Sequence, residues 1–126
     1  MCLVETLYQR LGGMEAVARL VFDLYERVQG SRRLAPYFAD ADMATLIDHQ
    51  TQFLASLAGG PQSYSDAHLS QKHAKLAIDD HDFDEMLELM SQALRAGGIA
   101  GEDHDAFLAA LDAHRPLIVS QAPTKT

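Results

Sequence analysis

The apolar residues of this chain recur at helical spacing, and this pattern restricts its fold more than any other feature. Over Met14 to Gln29, the apolar face consists of Ala16, Val17, Leu20, Val21, Leu24, Tyr25 and Val28. Intervals of three and four residues are typical of an amphipathic helix, whereas a half-buried strand would alternate apolar and polar residues. The segment is therefore predicted to be a helix of about four turns with one buried face.

Glycine pairs and a proline divide the rest of the chain into further helical segments. The pairs Gly12-Gly13, Gly59-Gly60 and Gly97-Gly98 suit helix ends, because glycine accepts the left-handed conformation that often closes a helix. Pro36 disfavours helical geometry in the residue before it, so the segment around it should form only a single turn. Asp42 is a good N-cap for the helix that follows.

The second half of the chain is predicted to contain three helices. Asp82 and Glu85 have the spacing of a capping box, and Pro116 should kink or loosen the last helix. The predicted helical segments are Leu3 to Leu11, Met14 to Gln29, Arg33 to Phe38, Asp42 to Gly59, Ala67 to Ala77, Asp82 to Gly97 and Glu102 to Val119.

No segment shows sustained strand alternation or an internal repeat, so the fold class is predicted to be all-α. A length of 126 residues fits one domain, 1–126, with residues 1–5 and 121–126 expected to be flexible. Cys2 is the only cysteine, so no intrachain disulfide can form, and a reducing compartment is expected. The chain begins without a basic region followed by an apolar one, which favours the cytoplasm. No large apolar surface stripe is evident, which favours a monomer.

Charge and motif content exclude several functions. The formal net charge of −8 disfavours nucleic-acid partners and anionic membrane surfaces. The sequence lacks a phosphate-binding glycine motif, a His-Glu-x-x-His zinc motif and a cysteine pair. The acidic run between Asp79 and Glu85 lacks the glycine and the spaced terminal glutamate of a calcium loop, so it is predicted to be a solvated helix start. The histidines in polar surroundings or near helix ends are predicted to be surface residues: His68, His81, His104 and His114.

One polar side chain interrupts the apolar face of the helix that follows Asp42. Gln50 stands in line with Leu46, Phe53 and Leu57 at helical spacing. A buried amide needs hydrogen-bond partners, so this position suggests a polar ligand or group inside the protein. The alternative is that Gln50 bonds a nearby backbone group or lies at the edge of the helix.

A histidine occupies a similar position on the predicted helix from Ala67 to Ala77. His73 shares one face with the apolar residues Leu69, Leu76 and Ala77. Lysines flank this face, so it would fit a flat, apolar, dianionic ligand with a central metal ion. The alternative is an ordinary, partly buried histidine held by hydrogen bonds.

Several ordered motifs resemble the truncated haemoglobin family, first group, from about Thr6 to about Val119. They are Leu7-Tyr8-Gln9-Arg10-Leu11-Gly12-Gly13, Phe22-Asp23-Leu24-Tyr25-Glu26-Arg27-Val28, Leu34-Ala35-Pro36-Tyr37-Phe38, Asp42-Met43 with His49-Gln50 and Phe53-Leu54, Gly59-Gly60-Pro61, and His73. The resemblance implies a truncated two-over-two helical globin that encloses a haem b, with His73 as the proximal ligand of the iron.

The resemblance also implies roles for residues around the haem. Tyr25 and Gln50 match the distal pair that stabilises a bound ligand, and they are thereby the candidate catalytic residues; Leu46 completes this side. Phe38 matches an aromatic residue that packs against the macrocycle. The residues expected to contact the cofactor are Phe38, Phe53, Leu57, Leu69, Lys72, Lys75, Ile78, Phe83 and Leu87, with Lys72 or Lys75 pairing with a propionate. Leu117 aligns with a histidine that attaches haem covalently in some relatives, so non-covalent haem is expected.

Three functions are compatible with these residues. The first is reversible binding of oxygen at ferrous iron, and of nitric oxide and carbon monoxide, with oxidation of nitric oxide to nitrate as a further activity that needs a separate reductase. The second is a bis-histidyl haem protein for electron transfer or redox sensing, with His49 as the sixth iron ligand. The third is a haem-free helical interaction module.

Overall fold

The core of the protein is built on two long helices, Gly13–Gln29 and Asp80–Ala96. The computed structural model describes residues 6–60 and 78–119. In chain order the helices are α1 (Leu7–Leu11), α2 (Gly13–Gln29), a 3₁₀ helix that we call the corner (Ala35–Phe38), α3 (Met43–Leu57), α4 (Asp80–Ala96), α5 (Gly101–Asp112) and α6 (Arg115–Ile118). Every regular element in the described residues is helical, which confirms the all-α prediction.

The apolar face predicted for α2 is the one that the structure buries. Val17, Val21 and Val28 are fully inaccessible to solvent, and α2 packs against both α3 and α4. Helix α5 packs against α4 and α1, so the pair α2–α3 lies against the pair α4–α5. Burial of these faces supplies the main driving force for folding, because apolar surface leaves water.

The residues at the ends of the first three α-helices agree with the sequence-based predictions at Gly12 and Asp42. The Thr6 side chain accepts a hydrogen bond from the Gln9 backbone N–H, and the Thr6 backbone N–H donates to the Gln9 side chain, so α1 begins at Leu7; the predicted start at Leu3 was wrong. Gly12 has a φ of 114° and separates α1 from α2. Asp42 precedes α3 as predicted, although its carboxylate accepts from the Thr45 hydroxyl instead of capping the backbone.

The predicted start of α4 was wrong. The helix begins at Asp80, and Asp79 is its cap, because the Asp79 side chain accepts from the Asp82 backbone N–H at 2.8 Å. Asp82 is therefore in the first turn, where its side chain is free to face the protein interior. An acidic run offers several possible caps, and tertiary contacts select among them.

The last predicted helix is two helices. Helix α5 ends at Asp112, and α6 begins at Arg115 with Pro116 in its first turn. Proline tolerates a first turn because the N–H that it lacks would have no helical partner there. Pro116 therefore interrupts the helix, a stronger effect than the predicted kink.

The predicted helix from Ala67 to Ala77 lies outside the described residues. Among the helices that are described, none has both the length and the apolar content needed to cross a membrane.

Candidate functional site

A cavity opens between the helix pairs, bounded by α2, the corner, α3, α4, α5 and α6. Its lining is mostly aliphatic and aromatic. The described residues around it are Leu24, Tyr25, Leu34, Tyr37, Phe38, Leu46, Gln50, Phe53, Leu54, Ile78, Asp82, Phe83, Met86, Met90, Leu111 and Ile118. An apolar cavity with a few polar groups is the usual form of a site for a small molecule or cofactor.

Two of its polar groups come from facing helices. Tyr25 of α2 is 5% exposed, and Gln50 of α3 is half-buried in the same cavity lining. Neither side chain makes a hydrogen bond to another described residue. Burial raises the pKa of Tyr25 above its ordinary value, so the phenol keeps its proton at neutral pH and can donate a hydrogen bond.

Aromatic rings from the corner hold one side of the cavity. The ring of Phe38 meets the ring of Tyr25 edge-on, with 5.5 Å between centroids and an angle of 87°. The ring of Tyr37 meets Phe38 at 6.4 Å and 62°. These edge-to-face contacts are a favoured aromatic geometry, so Phe38 is packed between two tyrosines.

The wall beside these rings contains Asp82, which was predicted to be a helix cap in a solvated acidic run; that prediction was wrong for this residue, because its side chain is buried. Asp82 is 7% exposed, accepts a hydrogen bond from the Tyr37 hydroxyl and forms an ion pair with Arg33. Burial and the bond to Asp82 raise the pKa of Tyr37 to about 12. Its position was missed because an aspartate near a helix start matches a cap, and the sequence pattern contains no signal that would distinguish a cap from a buried acceptor.

An arginine covers the outer side of the cavity wall. The Arg115 guanidinium lies 4.6 Å from the centroid of the Phe83 ring, and Phe83 lines the cavity. The same guanidinium forms ion pairs with Asp80 at 3.0 Å, Asp84 at 2.6 Å and Asp112 at 2.8 Å. Arg115 therefore joins α6 to the first turns of α4 through a cation–π contact and two carboxylates, and to the end of α5 through the third, Asp112.

The other predicted site residues are divided among three environments. Leu46, Phe53, Ile78 and Phe83 line the cavity together with Tyr25, Phe38 and Gln50. Leu57 and Leu87 are half-buried and pack against the core outside the lining, and His49 is exposed. Leu69, Lys72, His73 and Lys75 lie outside the described residues. Met86, Met90, Leu111 and Ile118 were missed, although each stands on a helical face that the sequence marks as apolar.

Two histidines that were predicted to be surface residues are partly or fully buried. His104 is 7% exposed; its Nε2 lies 2.7 Å from the Ser91 hydroxyl and its Nδ1 lies 2.9 Å from Asp105. The ring of His114 packs edge-on against Phe53, and its Nδ1 lies 2.9 Å from the Ala110 carbonyl oxygen. The surface prediction was wrong for both because short-range polarity does not show which helix will pack over a residue.

Comparison with known proteins identifies relatives across nearly the whole chain. The family model described as bacterial-like globin matches residues 6–119. The Group 1 truncated hemoglobin GlbN of Synechocystis sp. is 34% identical over 125 residues, covering 94% of this chain and all of that protein.

Solved structures show the same likeness. The truncated hemoglobin of Tetrahymena pyriformis, in its Fe(III) form, is 25% identical with a TM-score of 0.84, over 91% of this chain and 98% of that one. The 2/2 hemoglobin of Synechococcus sp. PCC 7002, described with covalently attached heme, gives a TM-score of 0.86 at 24% identity, over 93% of this chain and 100% of that one.

The two helix pairs and the cavity between them define a truncated, two-over-two globin. The chain belongs to the bacterial-like globin family and, within it, to the group 1 truncated haemoglobins. It is therefore a haem-binding globin, and globins bind diatomic ligands such as oxygen.

The residues present fit a haem on the side that the structure describes. An apolar, aromatic wall suits the macrocycle, and Tyr25 and Gln50 provide polar groups that have no described partner. A polar ligand in the cavity would give these two groups hydrogen bonds that the described residues do not provide.

Proposed function

We propose that this globin holds haem b without a covalent bond and binds oxygen reversibly at ferrous iron. The observation that carries the proposal is the pair of polar side chains, Tyr25 and Gln50, that line one apolar cavity from opposite helices without a described partner. When bound, haem supplies an iron that takes oxygen, nitric oxide or carbon monoxide. His73 is proposed as the protein's ligand to that iron.

Tyr25 and Gln50 would hold the diatomic ligand. The protonated phenol of Tyr25 and the amide N–H of Gln50 can each donate a hydrogen bond, and both groups are already placed before the ligand arrives. Negative charge on the ligand is then stabilised with little reorganisation of the protein. Leu46 and Phe53 keep the surrounding wall apolar, which strengthens both bonds by excluding water.

The same arrangement supports oxidation of nitric oxide as a second activity. Nitric oxide, oxygen and one electron together make nitrate, so each turnover needs one electron. The sequence contains no flavin or nicotinamide motif, and a separate reductase would have to supply that electron. The residues proposed as catalytic are Tyr25 and Gln50, which would retain the oxygen until nitric oxide reacts.

Coordination of the iron by His49 is the alternative, and it would make a bis-histidyl protein for electron transfer or redox sensing. His49 is exposed and is not part of the described cavity lining, so this alternative requires α3 to move. Binding of a diatomic ligand beside Tyr25 and Gln50 needs no such movement, so we favour oxygen binding over the bis-histidyl alternative.

Absorption spectra of the haem-loaded protein test both readings. The wild type, His73→Gly and His49→Ala should be compared in ferric and dithionite-reduced forms, with His81→Gly as a control because His81 is an exposed histidine. We expect His73→Gly to lose the wild-type Soret spectrum and to regain it with added imidazole, and His49→Ala and His81→Gly to leave it unchanged. A low-spin wild-type spectrum that turns high-spin in His49→Ala would support the bis-histidyl alternative. No Soret band in the wild type after addition of haemin would refute the proposal.

The non-covalent attachment has its own support and test. The proposal rests on Leu117, which stands where some relatives have the histidine that attaches haem; His114, about one turn away, is the nearest histidine in the sequence, and its ring packs on Phe53. We therefore expect acidified acetone to extract all of the haem from the wild type. Haem that stays with the chain, and is released from His114→Ala, would show a covalent bond.

The remaining parts of the proposal concern the protein's state in the cell. We propose a monomer in the cytoplasm. Size-exclusion chromatography with light scattering at several concentrations tests the first part, and a mass near 13.8 kDa plus haem is expected.

A further inference from the structure

A row of contacts connects the first turn of α4 to Tyr25. The Asp82 carboxylate accepts from the Tyr37 hydroxyl, the Tyr37 ring contacts Phe38, and the Phe38 ring contacts Tyr25. The first and last members of this row are both polar residues in the cavity lining. The Asp82 carboxylate has a hydrogen-bond partner, whereas the Tyr25 hydroxyl makes no hydrogen bond to a described residue.

Burial of the Asp82 carboxylate at this position carries a desolvation cost. A buried carboxylate is tolerated when it is paired, and replacement of a buried ion pair by apolar side chains is often neutral or stabilising. Here Asp82 bonds Tyr37 and pairs with Arg33, and its backbone N–H donates to the Asp79 side chain. Both side-chain partners come from the corner or the turn just before it. Asp82 therefore attaches the corner to α4, which apolar packing alone would do less specifically.

The attachment matters because of what the corner carries. No hydrogen bond within residues 6–60 and 78–119 fixes the direction of the Tyr25 hydroxyl, whereas the packing of its ring restricts that direction. Within the described part of the chain, the Phe38 ring contacts the Tyr25 ring. Tyr37, the neighbour of Phe38 in the chain, is hydrogen-bonded to Asp82. If the bond between Tyr37 and Asp82 is lost, Phe38 gains freedom to shift and Tyr25 gains other orientations.

We propose that Asp82, acting through Tyr37 and Phe38, is a positioning residue that aims the Tyr25 phenol at the ligand. This inference rests on the proposed role of Tyr25 as a hydrogen-bond donor to a diatomic ligand. It assigns to Asp82 and Tyr37 a part in ligand retention, although neither side chain is required to touch the ligand.

The test uses variants that change one contact at a time in the haem-loaded protein. Tyr37→Phe removes the hydroxyl and keeps the ring, and Asp82→Asn keeps an acceptor for Tyr37. Oxygen dissociation is measured by stopped flow. We expect Tyr37→Phe to raise the dissociation rate about five-fold or more, from partial loss of one ligand hydrogen bond, and Asp82→Asn to stay within about two-fold of wild type. Glu85→Ala removes the longer 3.4 Å bond that the Ser31 hydroxyl donates to Glu85, and it leaves the bond from the Leu34 backbone N–H to Ser31 in place, so it is the matched control for a second link between the same segments.

A cycle with Tyr25→Phe separates positioning from general loosening. When Tyr25 has no hydroxyl, there is no donor left to aim, so adding Tyr37→Phe should leave the dissociation rate of Tyr25→Phe unchanged. An equal further increase in that background would show that Tyr37 acts by another route and would overturn the inference. The infrared C–O stretch of bound carbon monoxide gives a second readout: one narrow band is expected in wild type, and a broadened or second band at higher frequency in Tyr37→Phe. An unchanged band would also overturn it.

The same experiments distinguish this inference from the proposed function. If the wild type forms no Soret band with haemin, the proposed function is refuted and the inference fails with it. If haem binds and Tyr25→Phe accelerates oxygen loss while Tyr37→Phe does not, the function stands and only the positioning role of Asp82 is refuted.

Discussion

Replacing Gln50 with leucine removes one polar group from the cavity and keeps most of the side-chain volume. Since the amide has no hydrogen-bond partner among residues 6–60 and 78–119, its removal deprives no group in that part of the chain of a partner. The unliganded protein should therefore lose less than about 0.5 kcal/mol of unfolding free energy, because a half-buried amide without a described partner contributes little to stability. The variant should instead weaken the complex with oxygen, because the hydrogen bond from the Gln50 amide to the ligand is lost.

The loss of binding free energy equals the contribution of the hydrogen bond that the Gln50 amide would donate to bound oxygen. A hydrogen bond to a charged or strongly polarised acceptor contributes about 1–3 kcal/mol, which corresponds to a rise of about 5- to 150-fold in the oxygen dissociation rate. The association rate should change much less, because the bond forms after the ligand has reached the cavity. Stopped-flow dissociation and flash-photolysis rebinding measure the two rates separately.

Gln52→Leu is the matched control, because Gln52 lies on the exposed side of the same helix and bonds Asp48 at 3.2 Å. Its oxygen kinetics should equal those of the wild type. An unchanged dissociation rate in Gln50→Leu would refute the role assigned to this amide. A loss of more than about 1 kcal/mol in the unliganded variant would show instead that Gln50 has a structural partner.

Three further predictions concern stability. Arg115→Met should lower the unfolding free energy by about 1–2 kcal/mol in urea titrations. The loss should be smaller in high salt, because salt screens the ion pairs with the three carboxylates, which are more than half exposed. Gly60→Ala should cost about 1–3 kcal/mol, since a Cβ would lie 2.7 Å from the Tyr8 ring and 2.8 Å from the Ala55 carbonyl oxygen; Gly97→Ala, with its nearest contact at 3.5 Å, is the control, and equal effects would contradict the reasoning. Because folding raises the pKa of Tyr25, the folded state keeps a proton that the unfolded state loses above about pH 10, so unfolding free energy should fall with rising pH from there, and Tyr25→Phe should reduce that slope.

The sequence determined the helical fold and most of one cavity wall. Residues such as Val17, Val21 and Phe53 follow the helical period, and that period alone decides which face of a helix becomes apolar. Gln50 was identified as unusual by the same rule, because a polar residue in an apolar stripe is visible without knowing what it faces. Resemblance to truncated haemoglobins then assigned Tyr25 and Phe38 to the same place, and the structure brings all three into one cavity.

Tertiary structure alone decided how distant polar residues pair. The cap of α4 at Asp79, the bond from Tyr37 to Asp82 and the burial of His104 beside Ser91 each join residues whose partners cannot be chosen from local pattern. A polar side chain near a helix end has the same local sequence whether it meets solvent or another helix. Its partner is fixed only when the helices pack, because a buried polar group must find its hydrogen bonds among whatever side chains that packing brings near.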